Sequence, residues 1–182
     1  MSEYKRDIPK MYISEWAFLR HHLESTDNVL EYGSGASTNI IAGLVGHLTS
    51  IEFDQTWYDE VKSRVSQLPN VDLRFIPPAN TNEPLKPARE ENWQDYINFP
   101  KTTDMIWDKV LIDGRARQFC AVSILENITE DSLVFVDDFA KNGSIDPPNR
   151  ERYLSILEHY DVVEIVRGMV MLKKKSARSS VG

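Results

Sequence analysis

The chain has 182 residues, 41% of them hydrophobic and 27% charged, so it can bury one sizeable core but is too short for two ordinary domains and a linker. Its 28 acidic residues outnumber the 21 basic ones, and the formal charge of -7 argues against binding along a nucleic-acid backbone as the main task. The single cysteine, Cys120, cannot form an internal disulfide, and the sequence has neither a signal-peptide-like start nor a membrane-length apolar run, so we expect a cytoplasmic protein without a membrane partner.

The first predicted element is a helix that starts after Pro9 and ends before a turn at residues 25–28. Four apolar side chains recur in it at helical spacing and form one stripe: Tyr12, Trp16, Leu19 and Leu23. Because such a stripe needs an apolar partner, we interpret residues 1–27 as a helix that covers the domain behind it.

Short β-rich segments alternate with helical ones from residue 28 onward. The predicted strands are 28–32, 48–53, 71–76, 109–112 and 132–136. The predicted helices are 38–44, 57–68, 118–125 and 149–160. This alternation is typical of parallel strands joined by right-handed crossovers, with helices on both faces of one sheet.

The C-terminal part departs from that alternation. Residues 162–166 and 169–172 are β-rich and flank Arg167-Gly168, which predicts a tight hairpin and a last strand antiparallel to its neighbours. We therefore expect one α/β domain at residues 28–172, with a Rossmann-like, doubly wound, mostly parallel seven-stranded sheet that ends in an antiparallel hairpin. Residues 173–182 are expected to form a flexible tail.

A long connection with five prolines spans residues 77–101, and it carries Trp93 and Tyr96 on a short amphipathic piece. Connections of this length are unusual inside compact domains and often serve as lids or binding loops. A surface excursion without a function is the alternative.

The most informative segment is NVLEYGSGAST at residues 28–38, a strand followed by Gly33-x-Gly35 and the start of a helix. Glycine has no Cβ and tolerates positive φ, so this turn predicts close approach of the backbone to a ligand. Glu52 follows Gly33 by nineteen residues, near the offset expected for an acid that accepts hydrogen bonds from ribose hydroxyls.

Thr38 stands where a dinucleotide fingerprint has its third glycine, which disfavours NAD and FAD. A ligand with an adenosine but no phosphate does not need the helix terminus as an anion site. It also tolerates Glu31 nearby if it carries an ammonium and a sulfonium. S-adenosylmethionine meets these conditions.

These residues, with Asp113 after the fourth strand and the C-terminal hairpin, resemble class I S-adenosylmethionine-dependent methyltransferases over about residues 28–172. The segments IDGRARQFC (112–120) and VFVDDF (134–139) resemble bacterial methyltransferase-like proteins and, more distantly, macrocin and catechol O-methyltransferases. The resemblance implies that Glu31 lies near the amino group of the cofactor and that Phe53 or Trp57 lines its adenine, although helix packing is the favoured role for Trp57. The implied cofactor-binding residues are Glu31, Gly33, Ser34, Gly35, Ser37, Thr38, Glu52, Phe53 and Asp113.

Three carboxylates, those of Asp113, Asp137 and Asp138, follow predicted neighbouring strands at the edge where open α/β sheets bind ligands. Unpartnered, they would repel one another, so a positive group must compensate. One candidate is Mg²⁺, which the macrocin and catechol enzymes hold at matching positions. The other is internal pairing with Arg115 or Arg117, and the sequence leaves both open.

Methyl transfer to oxygen needs a base, and the candidate catalytic residues are Asp113, Asp137 and Lys141. The lysine that serves the catechol enzymes near the fourth-strand acid has no counterpart at residues 114–117, where Arg115 and Arg117 stay protonated. This difference argues against catechol-like chemistry.

The leading interpretation is an S-adenosylmethionine-dependent methyltransferase that modifies an oxygen of a small-molecule acceptor, with no nucleic-acid partner. A methyltransferase-like module that binds the cofactor without chemistry, or serves as a partner subunit, is the alternative because no base is evident. A nucleotide-dependent oxidoreductase is disfavoured by Thr38. The sequence leaves both a monomer and a homodimer open.

Overall fold

The computed structural model of the chain describes residues 11–83, 88–145 and 151–176. Within these ranges seven strands form one sheet. The strands are β1 (Asn28–Tyr32), β2 (His47–Glu52), β3 (Val71–Phe75), β4 (Trp107–Ile112), β5 (Ile128–Val136), β6 (Tyr160–Val166) and β7 (Met169–Lys174).

The strand order across the sheet is β3-β2-β1-β4-β5-β7-β6. Strands β1 to β5 pair in parallel, whereas β7 pairs antiparallel with both β5 and β6. The predicted Rossmann-like, mostly parallel sheet with an antiparallel C-terminal hairpin is therefore confirmed. The predicted tail starts too early, because Lys173 and Lys174 belong to β7, and the Lys174 ammonium donates to the Leu125 carbonyl at 2.7 Å.

The described helices are α1 (Ile13–His21), α2 (Ala36–Ala42), α3 (Gln55–Val65), α4 (Gln94–Asn98), α5 (Arg117–Ser123) and α6 (Leu154–His159). Helix α3 begins two residues before its predicted start because the Asp54 carboxylate accepts a hydrogen bond from the Trp57 backbone N–H at 2.9 Å. Helix α6 is the later part of the predicted helix 149–160, whose first two residues lie outside the described ranges. None of the helices in the described ranges combines the length and hydrophobicity that a membrane crossing requires.

Apolar layers cover both faces of the sheet. On one face, α1 and α2 bury Leu19 and Ile41 against strand residues that include Val29. On the other face, α4, α5 and α6 contribute to a larger core around Leu30 and Tyr32. Because neighbouring strand residues face opposite sides, the side chain of Glu31 falls on the α2 side of β1.

The proline-rich connection is partly a core element. A 3-10 helix (Glu90–Trp93) leads into α4, and the side chains of Trp93 and Tyr96 are 1% and 0% exposed. Residues 84–87, which include two of the prolines, lie outside the described ranges. The amphipathic piece therefore anchors this connection to the sheet by its aromatic side chains.

A buried carboxylate, that of Glu15, joins α1 to the C-terminal hairpin. One oxygen accepts a hydrogen bond from the backbone N–H of Gly168, and the other accepts from that of Tyr12, both at 2.8 Å. The Gly168 carbonyl in turn accepts from the N–H groups of Phe139 and Ala140 at 2.8 and 2.9 Å. Helix α1, the hairpin turn and the segment after β5 are thus held together through two residues.

We expect Glu15→Ala to lower the free energy of unfolding by about 2–4 kcal/mol, because two backbone donors lose a charged acceptor. Urea denaturation measures the change. Glu24→Ala removes an exposed carboxylate from the same region and should stay within about 0.5 kcal/mol of the wild type. Equal losses in the two variants would contradict this role of Glu15.

Candidate functional site

A cavity of about 680 Å³ opens at the carboxyl ends of β1, β2, β4 and β5. Its wall includes Gly33 and Ser34 after β1, residues 52–57 except Gln55 after β2, residues 113–115 after β4, and Asp137 with Asp138 after β5. This is the edge of the sheet at which the sequence predicted a ligand site.

Gly33 is the glycine that the backbone requires. Its φ is +93°, and a Cβ added there would lie 2.8 Å from both the Cα and the N of Gly114. The loops after β1 and β4 therefore touch backbone to backbone at the cavity wall. The backbone at Gly33 therefore does approach another group closely, and within the protein that group is the backbone of Gly114.

Glu52 lies in the cavity wall, as predicted, with 2% of its surface exposed. One carboxylate oxygen accepts from the backbone N–H groups of Phe53 and Asp54, both at 2.8 Å. The other accepts from the backbone N–H and the hydroxyl of Ser34, both at 3.0 Å. Burial raises the pKa of Glu52, and these hydrogen bonds oppose the rise.

Glu31 is buried behind the glycine turn and is not one of the residues of the cavity wall, so its place near the amino group of the cofactor stays a prediction. Its carboxylate accepts hydrogen bonds from the hydroxyls of Ser37, Thr38 and Ser50, each at 2.6 Å. Burial raises the pKa of Glu31. The side chain lies on the α2 face of β1, where these hydroxyls are, so it fixes the turn from inside.

Ser37 and Thr38, also predicted to contact the cofactor, belong to this internal network and do not line the cavity. The Thr38 hydroxyl accepts the backbone N–H of Gly35 at 2.8 Å and donates to Glu31. The residue that replaces the third glycine thus links the turn to the buried carboxylate.

Gly35 is also absent from the cavity wall, and its cofactor contact stays a prediction. Its φ of -178° is extended, and an added Cβ would lie 3.8 Å from the indole nitrogen of Trp57, an ordinary contact. Trp57 itself lines the cavity and donates from its indole N–H to the Ser34 carbonyl at 2.6 Å. The sequence favoured helix packing as the role of Trp57, and the structure adds a position in the cavity wall.

Phe53 forms the aromatic part of the wall. Its ring contacts those of Trp93 and Tyr96 edge to face, with centroids 5.2 and 6.3 Å apart. The Arg115 guanidinium lies 5.7 Å from the Phe53 ring centroid. Arg115 therefore stacks on this wall instead of pairing with the carboxylates.

Arg117 neutralises the carboxylates that the sequence placed at this edge. Its guanidinium lies 3.1 Å from an oxygen of Asp113, 3.7 Å from one of Asp137 and 3.3 Å from one of Asp138. It also donates to the backbone carbonyls of Asp113, Gly114 and Asp137. The internal pairing anticipated as one alternative is present, and within the described residues the partner is Arg117 and not Arg115.

The described residues contain no group of three or more His, Cys, Asp or Glu side chains arranged to hold a metal ion. The backbone does turn after β5, since the φ of Asp138 is +53°. That turn brings Asp137 and Asp138 to the guanidinium of Arg117, which supplies a positive charge beside both of them. The predicted metal set of Asp113, Asp137 and Asp138 therefore gains no support from this geometry.

Asp113 and Asp137 lie against the same guanidinium, that of Arg117, in the wall of the cavity. The pKa of Asp113 is raised to about 8, mainly because the carboxyl is buried and secondly because the charge of Asp137 repels it. Burial also raises the pKa of Asp137 above its ordinary value. The pair consequently holds one proton near neutral pH and can act in acid–base chemistry at the cavity.

Lys141, the third predicted catalytic residue, does not line this cavity. It is exposed and lines a second cavity of about 290 Å³ beside the first. Asp137 and Asp138 line both cavities. The catalytic role of Lys141 stays a prediction.

No protein-family model matches the chain, and no curated protein matches it significantly. A methyltransferase-like protein from Silicibacter pomeroyi has 26% sequence identity and a TM-score of 0.74, over 93% of this chain and 89% of that one. Fibrillarin from Aeropyrum pernix, solved with natively bound S-adenosyl-L-methionine, has 11% identity and a TM-score of 0.63, over 88% and 75%. An rRNA methylase from Streptococcus thermophilus has 12% identity and a TM-score of 0.58, over 89% and 95%.

We expect Gly33→Ala to destabilise the protein by about 2–3 kcal/mol or more, since it strains a positive φ and forces a methyl group against Gly114. Gly35→Ala, two residues away, should change the free energy of unfolding by less than about 1 kcal/mol because its Cβ meets only ordinary contacts. Chemical denaturation of both variants tests this. The reverse order of stability would show that the turn has another conformation.

The pKa of Asp113 predicts a pH dependence of stability. The pKa in the folded chain, about 8, lies above the ordinary 3.8, so the unfolded chain loses this proton first and stability falls as the pH rises from about 4 to about 8. The amide side chain of the Asp113→Asn variant does not ionise in this pH range. We expect this variant to gain stability relative to the wild type as the pH is raised from 5 to 9, measured by urea unfolding, whereas the exposed control Asp131→Asn should show no such trend.

Proposed function

We propose that the chain, whose fold is that of class I S-adenosylmethionine-dependent methyltransferases, transfers the methyl group of S-adenosylmethionine to an oxygen atom of a small molecule. The observation that carries the proposal is the position of Glu52. Its carboxylate stands at the carboxyl end of β2, in the wall of the larger cavity and beside the positive-φ turn at Gly33.

The cavity fits this cofactor in size, charge and wall chemistry. Its volume of about 680 Å³ lies in the range of small-molecule sites. Phe53 and Trp57 offer aromatic surface for an adenine, and Glu52 offers acceptors for the ribose hydroxyls. The carboxylates in the wall suit an ammonium and a sulfonium better than the two phosphates of a dinucleotide.

Ser34 is the residue that a ribose would have to displace from Glu52. The Ser34 hydroxyl donates to the same carboxylate oxygen as the Ser34 backbone N–H. A hydroxyl rotates more readily than a backbone amide moves, so a sugar hydroxyl can take over this hydrogen bond without disturbing the turn. The backbone donors of Phe53 and Asp54 would continue to hold the carboxylate in place.

The bound cofactor supplies an electrophilic methyl group on its sulfonium. The chain orients the reactants, an effect worth about 7–11 kcal/mol in favourable cases. Asp113 and Asp137 line the same cavity and can take up the acceptor's hydroxyl proton, because the ionised form of Asp113 is populated as the pH approaches 8. Arg117 holds both carboxylates in place and limits their mutual repulsion.

The acidic residues at the rim of the cavity favour a small molecule over RNA as the methyl acceptor. An rRNA methylase has the same fold, so the fold does not decide between a small molecule and RNA. Exposed carboxylates at the cavity, those of Asp54 and Asp138, would repel a phosphate backbone. The formal charge of -7 acts in the same direction.

Calorimetric titration with S-adenosylmethionine and its demethylated product tests the cofactor assignment. We expect Glu52→Gln to weaken binding about 10- to 100-fold, because the ribose hydroxyls lose a charged acceptor. The exposed control Glu126→Gln should bind like the wild type, and circular dichroism establishes that both variants are folded. Tighter binding of NADH than of either adenosyl ligand, or unchanged affinity in Glu52→Gln, would overturn the assignment.

A further inference from the structure

The second cavity lies beside the first and shares two residues with it. Its volume is about 290 Å³, and Asp137 and Asp138 form a wall common to both cavities. The remaining wall comes from the start of α1, the segment after β5 and the turn between β6 and β7. A molecule in this cavity therefore has one end at the carboxylates that also face the larger cavity.

Two positive side chains, Lys141 and Arg167, line the second cavity. In the parts of the chain that the structure describes, neither forms an ion pair with a carboxylate. Glu15 lines the same cavity, but both of its oxygens accept backbone hydrogen bonds. The two cations thus remain available to an anionic group of a ligand.

The Arg167 guanidinium is oriented by its surroundings. It lies over the ring of Tyr12, 4.1 Å from the centroid, and the residue has a φ of +55°, a conformation uncommon for arginine. The Arg167 carbonyl accepts the backbone N–H of Gly143 at 2.8 Å, which ties the hairpin turn to the segment that carries Lys141. The two cations are therefore presented by turns that hydrogen-bond to each other.

We propose that the second cavity binds the methyl acceptor and that this acceptor is a small hydroxy acid, with its carboxylate held by Arg167 and Lys141 and its hydroxyl directed to Asp137. A planar guanidinium matches the two oxygens of a carboxylate. The cavity volume of about 290 Å³ has room for about ten water-sized groups, which is about the size of a single ring with two substituents. The inference rests on the proposed methyltransferase function.

The reaction balances without a further reactant. The acceptor hydroxyl gives its proton to the ionised Asp113–Asp137 pair, and its oxygen forms a bond to the methyl carbon of S-adenosylmethionine. The bond between that carbon and sulfur breaks, and its electron pair stays on sulfur. The products are a methyl ether of the hydroxy acid and the neutral thioether, and the proton passes from the carboxyl pair to water.

The test uses the three hydroxybenzoate isomers, each paired with the corresponding hydroxybenzamide, which keeps the ring and hydroxyl but lacks the charge. Binding to the full chain saturated with S-adenosylhomocysteine is measured by calorimetry, and methyl transfer is measured with labelled S-adenosylmethionine. We expect at least one acid to bind at least tenfold more tightly than its amide and to be methylated.

Arg167→Gln and Lys141→Gln should each reduce this preference at least threefold, and the double variant should abolish it while S-adenosylhomocysteine binds as before. Arg20→Gln and Lys101→Gln remove exposed cations elsewhere and should keep the preference. Equal binding of acids and amides, no binding of any acid, or a preference that survives in the double variant would overturn the inference. Failure of the wild type to bind S-adenosylhomocysteine would instead overturn the proposed function.

Discussion

One guanidinium, that of Arg117, makes the functional edge of this sheet possible. Three carboxylates follow β4 and β5, and without a positive partner their repulsion and desolvation would oppose the packing of the two loops. Arg117 contacts all three and also binds backbone carbonyls on both loops. Asp113 and Asp137 can therefore share the wall of one cavity, where burial raises the pKa of Asp113 to about 8.

Much of the fold follows from patterns that depend on near neighbours in the sequence. Alternating β-rich and helical segments led to the sheet, and Arg167-Gly168 between two β-rich runs led to the antiparallel end. The limits of α3 could not be predicted from apolar periodicity, because the cap of Asp54 determines its start. The core position of Trp93 depends on contacts with Phe53 and Tyr96, and only the folded chain brings these rings together.

The sequence predicted where the site lies better than it predicted what each residue does there. Gly33, Glu52 and Asp113 line the cavity, as strand ends in an open sheet lead one to expect. The hydrogen bonds that join Glu31 to Thr38 could not be predicted from the motif, because the hydroxyl of Ser50 that completes the partners of Glu31 comes from another strand. The choice of Arg117 over Arg115 likewise depends on the first turn of α5, which begins after Ala116 in the left-handed conformation.

The contact between Glu15 and Gly168 joins residues 153 positions apart. During synthesis, Gly33 and Glu52 leave the ribosome long before the β6–β7 hairpin exists. The nascent chain therefore contains the residues proposed to bind the cofactor before it contains Arg167, which lines the second cavity. Helix α1 gains its polar anchor only after translation has passed residue 168. A chain whose translation stops before the hairpin therefore lacks the wall that Arg167 and Gly168 give to the second cavity.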